Sequence, residues 1–354
     1  MSFTAHRKIQ VLIVEDSAVV AEFLTHLLNS DPRIEVVAVA RDGAEGLEAA
    51  RRYRPDVITM DLHMPRLDGF EATRQIMEIC PAPIVVVSAN SHEAANNFRA
   101  MEAGALAVVA RPEGRGHSNH ASSAEELLNT VKLMSEVKVV RRWARSGISR
   151  TSNAAAPLSA PARAHVPIET VVIGASTGGP LALKTLLGEL PKNFPAGILI
   201  VQHMTPGFTP GFVEWLGKSS GFPVKLAVHG EPIRSGIAYV APDGSHMGLG
   251  LARTIILSDA PPENRMRPSV AHLFRSAGVV LGAKTAGVLL TGMGRDGAEE
   301  LKTLKEGGAL TFAQDEESSV VHGMPGYAIS LGAASFVLPP EEISRLLGSL
   351  VRKS

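Results

Sequence analysis

The chain predicts an α/β protein of two doubly wound parallel-sheet domains joined by a flexible linker. Short β-branched apolar runs alternate with helix-patterned segments in both halves, as in the βα units that build parallel sheets. Between the halves, Arg145 to Pro167 is rich in Ser, Ala and Pro and too poor in large apolar residues to bury a core. At 354 residues, 45% of them hydrophobic, the chain has enough material for two cores. The expected division is 1–138, 139–167 for the linker, and 168–354.

In the first half the predicted strands are Ile9 to Val14, Ile34 to Val39, Val57 to Thr59, Ile84 to Val87 and Leu106 to Val109. Helical patterning fills the intervals at Ala18 to Leu28, Ala44 to Arg52, Phe70 to Ile79 and up to Ala103, and a last helix is expected from Ala121 to Lys138. Sites in such sheets lie at the carboxyl ends of strands. There Glu15 and Asp16 follow the first strand, Asp61 the third and Ser88 the fourth. Clustered carboxylates of this kind suit a hard divalent cation; the plain alternative is a set of solvated loop acids.

Spacing separates the two. EDSA from Glu15, MDLHMPRLDG from Met60 and VSA from Val87 resemble the receiver domain of two-component response regulators, a flavodoxin-like fold, over about the first 120 residues. The resemblance implies that Asp61 accepts a phosphoryl group from a histidine kinase. Glu15, Asp16, Asp61 and the His63 backbone carbonyl would hold Mg²⁺, with Ser88 and Arg111 contacting the phosphoryl group. Two positions depart from the family: Arg111 stands where receivers carry lysine, with no lysine between Ile9 and Val131, and Val108 stands where an aromatic switch residue is usual. Arginine keeps the charge without the compact ammonium geometry.

The second half starts near Ile168. Its predicted strands are Thr170 to Ile173, Gly197 to Val201, Ala238 to Val240 and Ala286 to Leu290. The first runs into VVIGASTGGP, in which a strand ends, a Gly-rich turn follows and Pro180 opens a helix. Gly174, Ser176 and Gly178 match G-x-S-x-G, a nucleophile elbow whose N–H groups and helix dipole favour developing negative charge. A dinucleotide cradle and a plain tight turn compete with that reading. A dinucleotide site wants an acid at the end of the next strand, whereas here Gln202 and His203 stand there.

Ser176, His203 and Asp296, the last in the turn TGMGRDGA, thus fall near strand ends and make a candidate triad. An imidazole takes the serine proton and a carboxylate fixes the imidazole tautomer. Asp296 equally suits a helix N-cap. Other histidines (His229, His246, His272, His322) and acids (Asp243, Asp259, Asp315) stand as competitors.

IGASTGGP, QHMTPGFTPGF from Gln202, YVAPDGSHM from Tyr239, NRMRPSVAHLF from Asn264, TGMGRDGA from Thr291 and AQDEESSVVHGMP from Ala313 resemble the catalytic domain of chemotaxis protein-glutamate methylesterases. The resemblance implies a Rossmann-like serine hydrolase domain, the triad Ser176, His203 and Asp296, and an oxyanion site at the Met293 N–H with Thr177 nearby. It implies hydrolysis of glutamate γ-methyl esters on chemoreceptors, deamidation of receptor glutamines, a chemotaxis histidine kinase as the donor to Asp61, and no cofactor for hydrolysis. Arg265 and Arg267 either face acidic receptor helices or pair with local carboxylates. A phosphorylation-dependent binding protein with a vestigial esterase site is the rival of another class.

Composition narrows the setting. Lys plus Arg and Asp plus Glu number 35 each, so net charge gives no pull toward nucleic acid or anionic membrane. A single cysteine, Cys80, precludes an internal disulfide framework. No apolar run has the length of a membrane span and the amino terminus lacks a signal-peptide core, so a soluble cytoplasmic protein is expected.

Overall fold

The computed structural model describes residues 7–88, 94–114, 116–117, 120–137, 139 and 167–351. Its first sheet contains β1 (Ile9–Val14), β2 (Ile34–Ala40), β3 (Val57–Met60), β4 (Ile84–Ser88) and β5 (Ala107–Ala110). They lie in the order β2-β1-β3-β4-β5, every neighbouring pair parallel. The helices between them are α1 (Ala18–Asn29), α2 (Gly43–Tyr53), α3 (Gly69–Ile79), α4 (Ala94–Ala103) and α5 (His120–Ser135). Helices cover both faces of the sheet, so its strands are apolar on both faces: Val11, Leu12 and Ile13 are all fully buried.

The second sheet has seven strands: β6 (Thr170–Ala175), β7 (Gly197–Gln202), β8 (Val224–Leu226), β9 (Ala238–Val240), β12 (Thr285–Leu289), β13 (Leu310–Gln314) and β14 (Phe336–Leu338), while β10 (His246–Leu249) and β11 (Ile255–Ser258) form a separate antiparallel pair. The order is β14-β13-β12-β6-β7-β9-β8, again parallel throughout. One face is packed by α6 (Gly179–Glu189), α7 (Thr209–Ser220) and α11 (Pro340–Val351), the other by α8 (Val270–Leu281), α9 (Ala298–Glu306) and α10 (Met324–Ser330). Each sheet reverses strand order once beside its first strand, between β1 and β3 and between β6 and β12. That reversal opens a crevice at the carboxyl ends of the strands.

The predicted elements are present, with ends shifted by one or two residues in most cases. The last helix of the first domain is an exception, since it stops at Ser135 where the apolar pattern had carried it to Lys138. Strands β8, β13 and β14, the β10–β11 pair, and helices α7, α8, α10 and α11 go beyond the sequence reading. Most of the expected linker, 140–166, lies outside the described residues.

The two domains touch. Phe98 of α4 is buried against α7, its ring 5.1 Å from that of Trp215 and 5.4 Å from that of Phe212. Lys184 of α6 pairs with Glu102 at 2.6 Å. Glu126 of α5 accepts a hydrogen bond from the hydroxyl of Thr205, two residues beyond His203.

Candidate active site

Ser176 directly follows β6 and is 9% exposed. Its N–H donates to the Thr291 carbonyl at 3.0 Å, and its carbonyl accepts the Gly179 N–H at 2.8 Å, which closes the turn into α6. The turn needs Gly178 at φ +78°, a left-handed conformation at the helix N-cap that glycine adopts without Cβ strain. Gly292 packs against the serine: a Cβ there would stand 2.7 Å from that of Ser176 and 2.5 Å from the Met324 sulfur.

His203 follows β7, whose register places Gln202 beside Ala175. Its N–H donates to the Ala175 carbonyl at 2.9 Å, so serine and histidine leave adjacent strands side by side. Asp296 reaches across from the loop after β12, and its Oδ2 stands 3.0 Å from His203 Nε2. Of the competing residues, Asp243 instead accepts hydrogen bonds from the Gly207 N–H and the Thr209 hydroxyl, and His246 lies between Ser269 and Pro261.

Asp296 is a cap, but not of the helix that follows it, which begins after Gly297. It caps α8. Its carboxylate accepts the Val270 N–H at 2.7 Å, the Ala271 N–H at 3.3 Å and the Ser269 hydroxyl at 2.9 Å, so a helix N-terminus faces the charge. Asn264 adds its side-chain N–H at 3.1 Å from φ +52°, a left-handed backbone that asparagine tolerates better than most residues. Burial opposes ionisation here, yet the His203 ring, the Val270 N–H and the Asn264 amide outweigh it and bring the Asp296 carboxyl down to about 2.

Behind the pair sits Gln202, buried, which donates from Nε2 to the Ser176 carbonyl at 2.9 Å and to the His203 carbonyl at 2.7 Å. In the sequence it registers only as a strand end without an acid; its partners are backbone carbonyls, which leave no mark in a motif. Thr177 is tied by its carbonyl to the Thr291 hydroxyl at 2.9 Å, and the Met293 side chain is half exposed in the loop between Thr291 and Asp296. Arg267 donates to the Asp259 and Ala260 carbonyls at 3.1 and 3.3 Å and thereby holds its own loop.

In the other crevice Glu15, Asp16 and Asp61 each place a carboxylate oxygen within 4.8 Å of the others. Burial, and then the neighbouring Asp61 carboxylate, push the Glu15 carboxyl up to about 7, and burial raises that of Asp61 despite Arg111. Arg111 Nη2 stands 3.4 Å from Glu15 and 3.9 Å from Asp61. Three crowded oxygen ligands, two of them buried and short of positive charge, fit a hard divalent cation. His63 stands two residues beyond Asp61 in a loop closed by the Gly69 N–H on the Leu62 carbonyl, and Gly69 lies so near that a Cβ would meet the Asp61 carbonyl at 2.0 Å. Ser88 is buried at the end of β4.

Residues 171–347 match the CheB methylesterase family and residues 11–120 the response regulator receiver domain. The chain is 54% identical to protein-glutamate methylesterase/protein-glutamine glutaminase 1 of Syntrophus aciditrophicus, over 97% of this chain and 98% of the relative. It is 55% identical to the protein-glutamate methylesterase/protein-glutamine glutaminase of Nitrosospira multiformis, over 97% of each. The crystal structure of the Thermotoga maritima CheB methylesterase catalytic domain superposes with a TM-score of 0.51 at 41% identity, covering 52% of this chain and 100% of that one. With both domains matched in order and full-length relatives this similar, the chain belongs to the CheB methylesterase family, a receiver domain preceding the methylesterase domain.

Proposed function

We propose that this protein hydrolyses glutamate γ-methyl esters on chemoreceptors to glutamate and methanol, deamidates receptor glutamines by the same route, and is controlled by phosphorylation of Asp61. The observation that supports the reading most is that Ser176 and His203 leave adjacent paired strands side by side while the hydrogen-bonded Asp296 stands 3.0 Å from His203 Nε2. Ser176 Oγ attacks the ester carbonyl as His203 takes its proton. Because Nε2 faces Asp296, Nδ1 is the ring nitrogen left for that transfer. Asp296 holds the tautomer and stabilises the imidazolium that forms. The tetrahedral oxyanion is met by the Met293 N–H and by Thr177 in the elbow. Collapse expels methanol, or ammonia from an amide, with the proton from His203, and water then attacks the acyl-enzyme by the same proton relay. These steps call on side chains, N–H groups and water, and on no cofactor.

In the receiver, Glu15, Asp16, Asp61 and the His63 carbonyl would hold Mg²⁺, which when bound supplies positive charge beside the phosphoryl oxygens. Asp61 accepts the phosphoryl group from a chemotaxis histidine kinase, with Ser88 and Arg111 contacting it. The domain contacts support the regulatory half of the proposal: Phe98 against α7 and Glu126 on Thr205 put the receiver on the loop that carries His203. Phosphorylation would loosen those contacts and open the crevice. We assign 1–138 to the receiver, 139–167 to the linker and 168–354 to the esterase. Among the described residues no helix is long and apolar enough to cross a membrane. The proposed substrate, the inner part of a chemoreceptor, places the action in the cytoplasm.

The decisive experiment is methanol release from a methylated chemoreceptor fragment, with and without a small-molecule phosphodonor and Mg²⁺. Release that rises with the donor supports both halves; unresponsive release removes the control by Asp61; no release removes the esterase.

A further inference from the structure

We infer that Gln202 is a positioning residue that sets the separation of nucleophile and base, a role that rests on the esterase reading above. Nothing in the reaction needs its amide, yet the side chain is buried directly beneath the site and spends both of its N–H bonds there, one on the Ser176 carbonyl at 2.9 Å and one on the His203 carbonyl at 2.7 Å. The two carbonyls belong to neighbouring strands at the point where their pairing ends, one residue past the Ala175–Gln202 pair. The last bond of that ladder runs from the His203 N–H to the Ala175 carbonyl, and no ladder bond ties His203 to Ser176 itself. A single planar amide with two fixed N–H directions makes that tie, and the staple joins the very residues that must exchange a proton.

The surroundings leave the amide no second place. Its Oε1 is buried and takes no hydrogen bond among the described residues, so the two N–H bonds alone orient the group. A Cβ on Gly179, the residue after the elbow's second glycine, would meet Oε1 at 2.1 Å and the Ala175 Cβ at 2.9 Å, so glycine here makes room for this amide and for the end of β6. Gly179 does not have a positive φ, and its conformation alone does not call for glycine. The Ser176 carbonyl keeps a second bond, from the Gly179 N–H at 2.8 Å, so losing the staple frees the spacing of the two residues more than the turn itself.

Three variants of the full chain test this: Gln202→Met, which keeps bulk and removes both donors; Gln202→Glu, which keeps shape and turns donors into acceptors; and Gly179→Ala, whose methyl presses chiefly on the amide oxygen and secondarily on Ala175. Each is compared with wild type and Ser176→Ala for methanol release and for labelling of Ser176 by a fluorophosphonate. We expect kcat to fall about 10- to 100-fold in all three with KM within about twofold, the size of loss that misplacement of reacting groups by an ångström or less produces. Labelling should slow in parallel, by more than any fall in melting temperature accounts for, when every variant is assayed well below its own melting temperature. Measured as the ratio to wild type at the same pH, the activity of Gln202→Glu should recover in part as pH is lowered, when its protonated acid can again donate to one carbonyl. Values of kcat within twofold of wild type in Gln202→Met and Gln202→Glu would overturn the proposal. So would losses confined to KM, or losses that follow the melting temperature. If wild type itself released no methanol, the esterase reading would fall, and the labelling rates would still decide whether Gln202 positions Ser176.

Discussion

Asp61 and Asp296 occupy matching places in the two sheets, each in the loop after the strand that lies just across the reversal of strand order. Asp296 is met by two backbone N–H groups, a serine hydroxyl, an asparagine amide and the His203 ring, and its carboxyl falls to about 2. Asp61 is met by two other acids and one guanidinium at 3.9 Å, and its carboxyl is raised. One topology therefore supports two electrostatic designs. The esterase carboxylate is complete in the protein alone and can orient a histidine permanently; the receiver carboxylate is left short of positive charge, which is the condition for taking up a cation and a phosphoryl group.

Removing one oxygen's charge from each aspartate is the sharpest test of that contrast. Asp296→Asn should lower kcat by about 10³- to 10⁴-fold, as loss of the carboxylate disorders the imidazole tautomer, and Ser176→Ala by at least as much. Methanol release from the methylated fragment measures both. A loss below tenfold in Asp296→Asn would mean that the hydrogen-bonded carboxylate is only a helix cap.

Acid stability gives the next effect. The folded carboxyl of Asp296 lies below its unfolded value of 3.8, so its stabilisation is fully present above about pH 4 and is lost as pH falls through about 2. A shift of this size corresponds to about 2 kcal/mol. Denaturant melts between pH 2 and 5 should therefore show wild type losing more stability than Asp296→Asn, by up to about 2 kcal/mol, because the other lowered carboxyls, among them Glu71 and Glu263, are common to both.

Asp61→Asn should act in the opposite sense. With a chelator present it removes repulsion from a crowded cluster and should raise the melting temperature of the receiver domain by a few degrees, about 2–4 °C for each kcal/mol relieved. It should also abolish the response of ester hydrolysis to the phosphodonor. A drop in melting temperature would show that Arg111 already compensates the cluster and that the contrast between the sites is overstated.

How much of this was legible in the sequence follows from where each signal resides. Strand–turn–helix punctuation revealed β6, the elbow and the acids at β1 and β3, because apolar runs and glycines are local facts. Asp296 was visible as a helix cap but attached to the wrong helix: it serves α8, whose amino terminus is brought to it by tertiary packing. Gln202 and Asn264 were invisible as site residues, since one bonds backbone carbonyls and the other acts from a loop 32 positions before its partner. The short strands β8 and β14 lie at the two edges of the sheet and are only partly buried, so they lack the wholly buried apolar character that marks the equally short interior strand β9. The contact of the domains through Phe98 is likewise a property of two surfaces that no window of sequence contains.

That contact carries the smallest predicted effect and the one that joins the two designs. Phe98 is buried between Phe212 and Trp215, and such ring pairs contribute about 0.5–1.5 kcal/mol beyond their burial. If the receiver restrains the loop carrying His203 through this contact, Phe98→Ala should raise methanol release without any phosphodonor by roughly two- to tenfold, the equilibrium change that such an energy allows. The donor should then add correspondingly less, because part of the opening has already occurred. Ser176 labelling should accelerate by the same factor, since opening acts on access and not on the chemistry. An unchanged basal rate would separate the Phe98 contact from control of the crevice, and phosphorylation of Asp61 would then have to act on the esterase through the polar domain contacts, Glu126 with Thr205 and Glu102 with Lys184.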